Sequence, residues 1–229
     1  MTPPIVLSVG GSIIVPKAGI DVGYLERFRE LIRERVKKGK RCIIVVGGGH
    51  TARAYQRAAS AIVRLNPEDV DWLGIHATRL NGHLFRALFR DIAIHRVVKD
   101  PTRPLAWQHG VLIAAGWKPG WSTDYIAVRL AKKYRAERIV NLTNVDAVYD
   151  TDPSKFEDAE PYATISWKEF RKIVGSKWMP GANAPFDPIA SKLAERWGIS
   201  VVIADGKNLK NIRSILDGQK FNGTIISNV

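Results

Sequence analysis

Short apolar segments alternate with amphipathic helical patterns along almost the whole chain. Strands are predicted at Ile5–Val9, Cys42–Val46, 97–98, 111–115, 139–142, 199–204 and 223–226. Helices are predicted at 21–38, 51–64, 69–95, 122–134, 166–174, 187–197 and Leu209–Leu216, with loops at 146–161 and 177–185. The stretch at 69–95 is one long helix or two joined ones, with Leu80 among the residues on its inner side. This alternation predicts an α/β fold, because a strand that is followed by a helix returns to a parallel neighbour. We expect a three-layer αβα sandwich with a central, mostly parallel sheet.

Two glycine-rich turns each follow an apolar strand. Gly10-Gly11-Ser12 follows Ile5–Val9, and Gly47-Gly48-Gly49 follows Cys42–Val46 and precedes a helical pattern. Glycine lets an anion approach backbone N–H groups, and a helix N-terminus carries a partial positive charge. Two such turns therefore suggest two phosphate subsites, gathered at the carboxyl ends of the strands. For either turn alone, a simple tight turn is the alternative.

Composition narrows the class of protein. Lys and Arg outnumber Asp and Glu by 13 (35 against 22), but the positive charge is dispersed along the chain. A charged substrate, or adaptation to high temperature or high salt, would explain this excess of positive charge, and we do not expect nucleic acid as the main ligand. The single cysteine, Cys42, lies in a predicted core strand and is expected to pack there. No apolar run approaches the ~18 residues of a membrane span, so we expect a cytoplasmic protein.

Arg53 and Asp71 are candidate ligands on the helices that follow the second turn. Arg53 lies one helical turn beyond the glycines, where a guanidinium suits phosphate, although it could also be a solvated surface arginine. Three small or polar residues follow Asp71 at helical spacing, namely Gly74, Thr78 and Asn81. They share one helix face with it. The Asp71 carboxylate could accept hydrogen bonds from a ribose, or it could cap the helix.

A glycine- and tryptophan-rich loop at 116–121 leads into the helix predicted from Ser122. The hydroxyls of Ser122 and Thr123 lie beside the free N–H groups of that helix, which again predicts an anion site. Asp124 could orient a cation or simply complement the helix dipole. Both roles remain open from the sequence.

A polar loop with an aromatic residue follows the strand predicted at 139–142. It carries Thr143, Asn144, Tyr149 and Asp152. Small polar groups with an aromatic ring could hold an adenine and its ribose, and an ordinary polar loop is the alternative.

Taken together, these stretches resemble the amino acid kinase superfamily, and within it the archaeal type of uridylate (UMP) kinase. The resemblance runs almost end to end, through GGSIIVP, VVGGGHTARAY, DWLGIHATRLNG, GWKPGWSTD, TNVDAVYDTDP, FDPIASKLAERWGI and NGTIIS. It implies the amino acid kinase fold as a single domain at 1–229, with an acceptor-binding part at about 1–135 and an ATP-binding part at about 136–229. It also implies Mg-ATP-dependent phosphorylation of UMP, and a homo-oligomer, commonly a hexamer built as a trimer of dimers.

The resemblance also implies roles for individual residues. ATP would be bound by Gly10, Gly11, Ser12, Gly49, Arg53, Thr143, Asn144, Tyr149 and Asp152. UMP would be bound by Gly48, Asp71, Trp117, Lys118, Pro119, Gly120, Trp121, Ser122 and Thr123. The catalytic set would comprise Ser12, Arg53, Asp124 and Lys177, and no residue is expected to form a dedicated metal site.

The chain departs from this pattern at position 8, where many relatives carry a lysine and this chain has Ser8. One expected cation is therefore missing from the transferring phosphoryl group, and Arg53, Lys118 or Lys177 could replace it. Two alternatives follow. The protein could phosphorylate another small phosphate, or it could be a nucleotide-binding regulator or storage protein without turnover.

Overall fold

The computed structural model describes residues 2–103, 105–108, 110–151, 153, 155–175 and 185–228. The strands within them are β1 (Ile5–Val9), β2 (Cys42–Val46), β3 (Ala93–Val98), β4 (Val111–Ala114), β5 (Ile139–Thr143), β6 (Thr164–Ser166), β7 (Val201–Asp205) and β8 (Thr224–Ser227). The helices are α1 (Gly11–Ile14), α2 (Val22–Lys37), α3 (Gly49–Ser60), α4 (Pro67–Leu88), α5 (Thr123–Lys133), α6 (Trp167–Val174), α7 (Pro188–Trp197) and α8 (Leu209–Leu216). Within these ranges, no helix combines the length and the apolar character that crossing a bilayer requires.

The strands form one sheet in the order β3-β4-β2-β1-β5-β7-β8-β6. All neighbouring pairs between β3 and β7 in this order are parallel, and β7 and β8 pair antiparallel. The carboxyl ends of β4, β2, β1, β5 and β7 therefore lie side by side at one edge of the sheet. This topology confirms the predicted mostly parallel sheet, and it brings the loops after these strands together.

Apolar side chains cover both faces of the sheet. On one face, Phe28 of α2 and Phe85 of α4 pack in a buried cluster with strand residues. On the other, Ile126 of α5, Phe170 of α6 and Ala190 of α7 form a second cluster. Strands β1 and β2 are buried along their whole length, as expected for parallel strands that are covered on both sides. The two clusters confirm the predicted three-layer sandwich.

Side-chain caps fix where six of the described helices begin, among them α2, α5, α6 and α7. Asp21, Ser122 and Asp187 each accept a hydrogen bond from the backbone N–H three residues further on, at 2.9, 3.1 and 2.6 Å. Ser166 and Glu169 form the reciprocal capping box that their spacing predicts. These four helix starts agree with the sequence prediction, because each depends on a local contact.

The long helix predicted at 69–95 is wrong at its C-terminal end. Helix α4 ends at Leu88, whose carbonyl accepts a hydrogen bond from Arg29 Nε of α2 at 2.6 Å, and His95 lies in β3. The prediction that Leu80 faces inward is also wrong, because this residue is 64% exposed. The helical spacing that leads to the buried Ile75, Thr78 and Phe85 turns Leu80 toward solvent.

Two short elements were not predicted, and one predicted loop cannot be compared. Helix α1 has four residues and β6 has three, so neither offers enough periodicity to be detected. The helix predicted at 51–64 ends at Ser60. All of the loop predicted at 177–185 except Pro185 lies outside the described residues.

Candidate functional site

The two glycine-rich turns pack against each other at the carboxyl ends of β1 and β2. A Cβ atom at Gly11 would lie 1.9 Å from the Gly49 nitrogen, and a Cβ atom at Gly49 would lie 2.2 Å from the Gly11 carbonyl oxygen. Gly49 also has a φ of 65°, which residues with a side chain rarely adopt. A side chain at either position would force the turns apart. The expectation that the two turns meet is therefore confirmed.

Backbone N–H groups remain free where the turns meet. The amides of Gly10 and Gly47 donate to carbonyl oxygens of β5 and β1, at 2.8 and 2.9 Å. In the described part of the chain, the amides of Ser12 and Gly48 donate to no acceptor. Gly48 is also the N-cap of the twelve-residue helix α3, whose N-terminus carries partial positive charge. This junction can therefore bind an anion through its backbone.

Two buried side chains of α4 bind the second glycine-rich turn and the chain that follows β4. Asn81 Nδ2 donates to the Gly47 carbonyl oxygen at 2.8 Å. Thr78 Oγ1 accepts the Gly116 N–H at 2.8 Å and donates to the Ile75 carbonyl oxygen at 2.7 Å. A Cβ atom at Gly116 would lie 2.6 Å from Thr78 Oγ1, so the contact also requires glycine there. The polar helix face predicted from residue spacing thus anchors the second turn and the chain after β4.

The loop at 115–122 between β4 and α5, which we call the β4–α5 loop, is tied to α4 at further points. Asp71 Oδ2 accepts the Gly120 N–H at 2.7 Å. Arg79 Nε donates to the Gly116 carbonyl oxygen at 3.1 Å, and its Nη2 donates to the Trp117 carbonyl oxygen at 2.6 Å. One oxygen of the Asp71 carboxylate is therefore engaged by the loop, and its expected contact with a ribose stays a prediction.

Aromatic rings stiffen the β4–α5 loop. The rings of Trp117 and Trp121 stack with centroids 6.3 Å apart, and Trp121 packs on Tyr125 at 4.0 Å. Lys118 Nζ lies 4.5 Å from the centre of the Trp117 ring. Such contacts favour one loop conformation. The loop therefore leads into α5 in a fixed arrangement, with the half-buried Thr123 as the first residue of that helix.

Asp124, on the first turn of α5, faces β1. Ser8 Oγ donates to Asp124 Oδ1, and the Asp187 N–H donates to Asp124 Oδ2, both at 3.1 Å. Loss of hydration on burial, and then the negative charge of Asp187, raise the pKa of Asp124 to about 7. Burial also raises the pKa of Asp187, which a hydrogen bond from Ser122 partly opposes. Among the described ion pairs, none involves either carboxyl.

The end of β5 and the loop that follows it carry three of the residues predicted to hold a nucleoside. Thr143 Oγ1 donates to Asn144 Oδ1 at 3.2 Å, and the Tyr149 hydroxyl donates to Asp146 Oδ1 at 3.0 Å. Because β5 adjoins β1 in the sheet, this loop lies at the same edge as the glycine-rich turns. The fourth predicted residue, Asp152, lies outside the described residues.

The four residues predicted to be catalytic occupy different settings. Ser12 lies in α1 at the junction of the turns, and Asp124 lies beside β1. Arg53 is exposed, just beyond the first turn of α3, and forms no ion pair with a described residue. Lys177 lies outside the described residues. The structure therefore tests none of the predicted contacts with a substrate.

Three residues that shape the site were not predicted. Gly206 donates its N–H to the Thr143 carbonyl oxygen at 2.8 Å, and a Cβ atom there would lie 2.9 Å from Ile13 Cγ1. Its position directly after the last residue of β7 was a usable signal, because the other two glycine turns follow strands in the same way. Asp187 was predicted only as a helix start. Arg79 gave no signal beyond that of any arginine on a helix.

Known proteins match this chain along nearly its whole length. A sequence model of the amino acid kinase family matches residues 3–205. A uridylate kinase from Methanospirillum hungatei is 35% identical over 98% of this chain and 95% of its own, and one from Hyperthermus butylicus is 32% identical over 97% of each. The crystal structure of uridylate kinase from Archaeoglobus fulgidus superposes with a TM-score of 0.81 and 31% identity, over 98% of this chain and 100% of that one. The chain therefore belongs to the amino acid kinase family.

Proposed function

We propose that this protein transfers the γ-phosphoryl group of ATP to UMP, which yields ADP and UDP. The observation that carries the proposal is the direct contact between the two glycine-rich turns, beside the clamped β4–α5 loop. A donor and an acceptor phosphate repel each other, so a site that joins them needs several fixed amides at their meeting point. The uridylate kinases that match the chain over nearly its full length support UMP as the acceptor.

ATP is the proposed donor, bound at the carboxyl ends of β1, β5 and β7. Its phosphates would lie at 10–12, Gly49 and Arg53, and its nucleoside near Thr143, Asn144 and Tyr149, with Asp152 beyond the described residues. The absence of space for a Cβ atom at Gly11 fits a backbone cradle for phosphate. Mg²⁺ would accompany ATP and neutralise phosphate charge, held mainly by the phosphate oxygens. The described residues contain no cluster of three His, Cys, Asp or Glu side chains that would hold it alone.

UMP is the proposed acceptor, bound between Gly48, Asp71 and the β4–α5 loop. The free Gly48 N–H and the hydroxyl of Thr123 would contact its phosphate, and the Asp71 oxygen that is not engaged by Gly120 would face its ribose. The remaining loop residues proposed to contact UMP are Trp117, Lys118, Pro119, Gly120, Trp121 and Ser122. Because α4 holds the loop at Gly116, Trp117 and Gly120, the acceptor would meet a preformed surface.

The chemical step is an in-line displacement at the γ-phosphorus of ATP. An oxygen of the UMP phosphate forms the new bond, the bond to the β,γ-bridging oxygen breaks, and ADP leaves with that electron pair. The acceptor oxygen is already an anion, so the step needs no general base. Catalysis then consists of positioning and charge neutralisation, in which each well-placed donor is worth roughly 2–4 kcal/mol. The proposed donors are Ser12, Arg53 and, outside the described residues, Lys177.

One observation favours a second candidate function, nucleotide binding without turnover. Position 8 carries a serine whose hydroxyl is engaged by Asp124, so no cation extends from β1 toward the glycine-rich turns. An ATP-binding regulator would tolerate this arrangement, whereas a fast kinase needs the missing charge from elsewhere. Tight ATP binding without ADP formation for any acceptor would favour the regulator.

An acceptor screen tests the proposed activity. ADP release from ATP is measured by a coupled assay with UMP, CMP, isopentenyl phosphate, carbamate and acetylglutamate as separate acceptors. We expect ADP formation that depends on UMP and produces UDP in equal amount. No turnover with UMP, or faster turnover with another acceptor, would reject the assignment.

We also propose that the protein forms a homo-oligomer, as a hexamer, and supplies UDP for pyrimidine nucleotide synthesis. Exposed apolar side chains along α3 and just after it support an interface there: Tyr55 is 65%, Ile62 is 83% and Val63 is 55% exposed. Light scattering after size-exclusion chromatography should give the mass of a hexamer. The mass of a single chain would contradict this part of the proposal.

A further inference from the structure

A second concave site is lined by Arg79 of α4 and by residues at and beyond the end of β3. It is a cavity of about 810 Å³ between α4, β3, the chain that follows β3 and the β4–α5 loop. Most of its polar lining is cationic or imidazole: Arg79, His83, His95, Arg96, Lys99, Arg103 and Lys118. We call it the basic cavity. Its volume falls within the ~300–1,000 Å³ that is usual for small-molecule sites.

The charge in the basic cavity is strongly one-sided. Five Lys or Arg side chains line it, against a single acid, Asp100. That carboxylate is already engaged, because it accepts hydrogen bonds from the Thr102 N–H and hydroxyl and pairs with Arg103 at 3.3 Å. The Thr102 hydroxyl is the main cause that holds the pKa of Asp100 below its ordinary value. Asp100 therefore neutralises one cation and leaves the others available.

Arg96 and Lys99 are the cations that are most available to a ligand. Both are exposed, and in the described part of the chain neither side chain forms an ion pair or a hydrogen bond. Arg96 lies in β3, a strand at one edge of the sheet, and Lys99 directly follows this strand. Like charges held together in a concave surface focus a positive potential that attracts anions.

Arg79 connects the basic cavity to the proposed acceptor site. Its Nε and Nη2 hold the carbonyl oxygens of Gly116 and Trp117, as described above. No described residue accepts a hydrogen bond from its Nη1, so this edge of the guanidinium can meet an anion in the cavity. Lys118 likewise lines the cavity while it belongs to the β4–α5 loop.

We propose that the basic cavity binds a small ligand that carries two or more adjacent phosphate groups. Several unpaired cations within one small cavity fit a polyphosphate better than a single carboxylate, because arginine and lysine bind phosphate oxygens through charge-assisted hydrogen bonds. A ligand there would hold Arg79 and thereby fix the conformation of the β4–α5 loop. This coupling rests on the proposed function of that loop, whereas the binding itself does not.

Calorimetric titration with inorganic tripolyphosphate tests the site. The titration is run on the full chain with UMP and a non-hydrolysable β,γ-methylene analogue of ATP both present at saturation, so that the two substrate sites are filled. Two double variants carry equal charge changes: Arg96→Gln with Lys99→Gln removes two cavity cations, and Lys37→Gln with Lys40→Gln removes two exposed lysines at the opposite end of the sheet.

We expect one tripolyphosphate per chain in the wild type and in the Lys37/Lys40 variant. Binding in the Arg96/Lys99 variant should be weaker by about tenfold or more, given the strength of hydrogen bonds to charged groups. No binding to the wild type, or an equal loss in both variants, would overturn the proposal. The same titration without the ATP analogue and UMP separates this proposal from the proposed function. If the cavity binds tripolyphosphate but the protein does not phosphorylate UMP, only the kinase assignment is rejected.

Discussion

Replacing Asp124 by asparagine removes a titrating carboxyl while keeping its shape and its acceptor oxygen. The folded carboxyl has a pKa of about 7, against an ordinary value of 3.8. The folded chain therefore binds this proton more tightly than the unfolded chain, so the free energy of unfolding falls as the pH rises from 3.8 to about 7 and levels off within about one pH unit above that. At about 1.4 kcal/mol per pH unit, and with the folded carboxyl half ionised at pH 7, the fall between pH 5 and pH 7 amounts to about 2 kcal/mol.

Denaturant unfolding followed by circular dichroism at pH 5, 6, 7 and 8 measures this effect. The Asp124→Asn protein lacks the titration, so its stability relative to wild type should rise by about 3 kcal/mol across this range. Asp158→Asn provides a matched control, because Asp158 is an exposed acid without a described ion-pair partner. Its stability should follow that of the wild type at every pH.

Parallel curves for wild type and Asp124→Asn would refute the reasoning. They would mean that Asp124 is ionised in the folded chain at pH 5, and that burial against Ser8 and Asp187 does not disfavour its charge. A difference that grows by much more than about 0.4 kcal/mol between pH 7 and pH 8 would show instead that the carboxyls of Asp124 and Asp187 titrate as one coupled pair.

Three other substitutions test the contacts at the glycine-rich turns. Thr78→Val keeps the side-chain volume but leaves the Gly116 N–H without its acceptor, so the free energy of unfolding should fall by about 1–3 kcal/mol and KM for UMP should rise. Gly11→Ala places a Cβ atom against the Gly49 nitrogen and should weaken ATP binding measured by calorimetry by about tenfold or more. Ser8→Lys supplies a cation beside a buried acid and should raise kcat with UMP in steady-state assays.

Each of these substitutions has a control or a contradicting outcome. Gly23→Ala is the control for Gly11→Ala, because it adds the same methyl group on the first turn of α2. The nearest atom to the new Cβ would be 3.5 Å away there, so ATP binding should be unchanged. An unchanged KM for Thr78→Val would show that the β4–α5 loop does not depend on α4. A fall in kcat for Ser8→Lys would show that the chain already places another cation at the transferring phosphoryl group.

The sequence predicted the architecture and the glycine-rich turns because their causes are local. Continuous apolar runs identify β1 and β2, and the caps at Asp21 and Ser166 lie within three residues of the groups that they bind. The meeting of Gly11 and Gly49 followed from the rule that parallel strands end at one edge of a sheet. The spacing of polar residues on α4 also predicted that they would share one helix face, and this face contacts the neighbouring loops.

Long-range contacts account for what the sequence did not predict. At the end of α4, the Leu88 carbonyl oxygen accepts a hydrogen bond from Arg29, which is 59 residues away in the chain. The raised pKa of Asp124 arises from Asp187 and from burial beside β1, and neither appears in the helix pattern around residue 124. The basic cavity likewise forms only where α4 and β3 meet the β4–α5 loop.

The proposed mechanism requires that the donor and acceptor phosphates meet at the paired glycine-rich turns. A single molecule that joins adenosine and uridine through five phosphates tests this requirement most directly. Calorimetry should show one such molecule bound per chain, more tightly than either ATP or UMP, and competing with both. Gly11→Ala should weaken its binding, and Gly23→Ala should not. Competition with only one of the two substrates, or simultaneous binding of UMP, would show that the two phosphates do not share this junction.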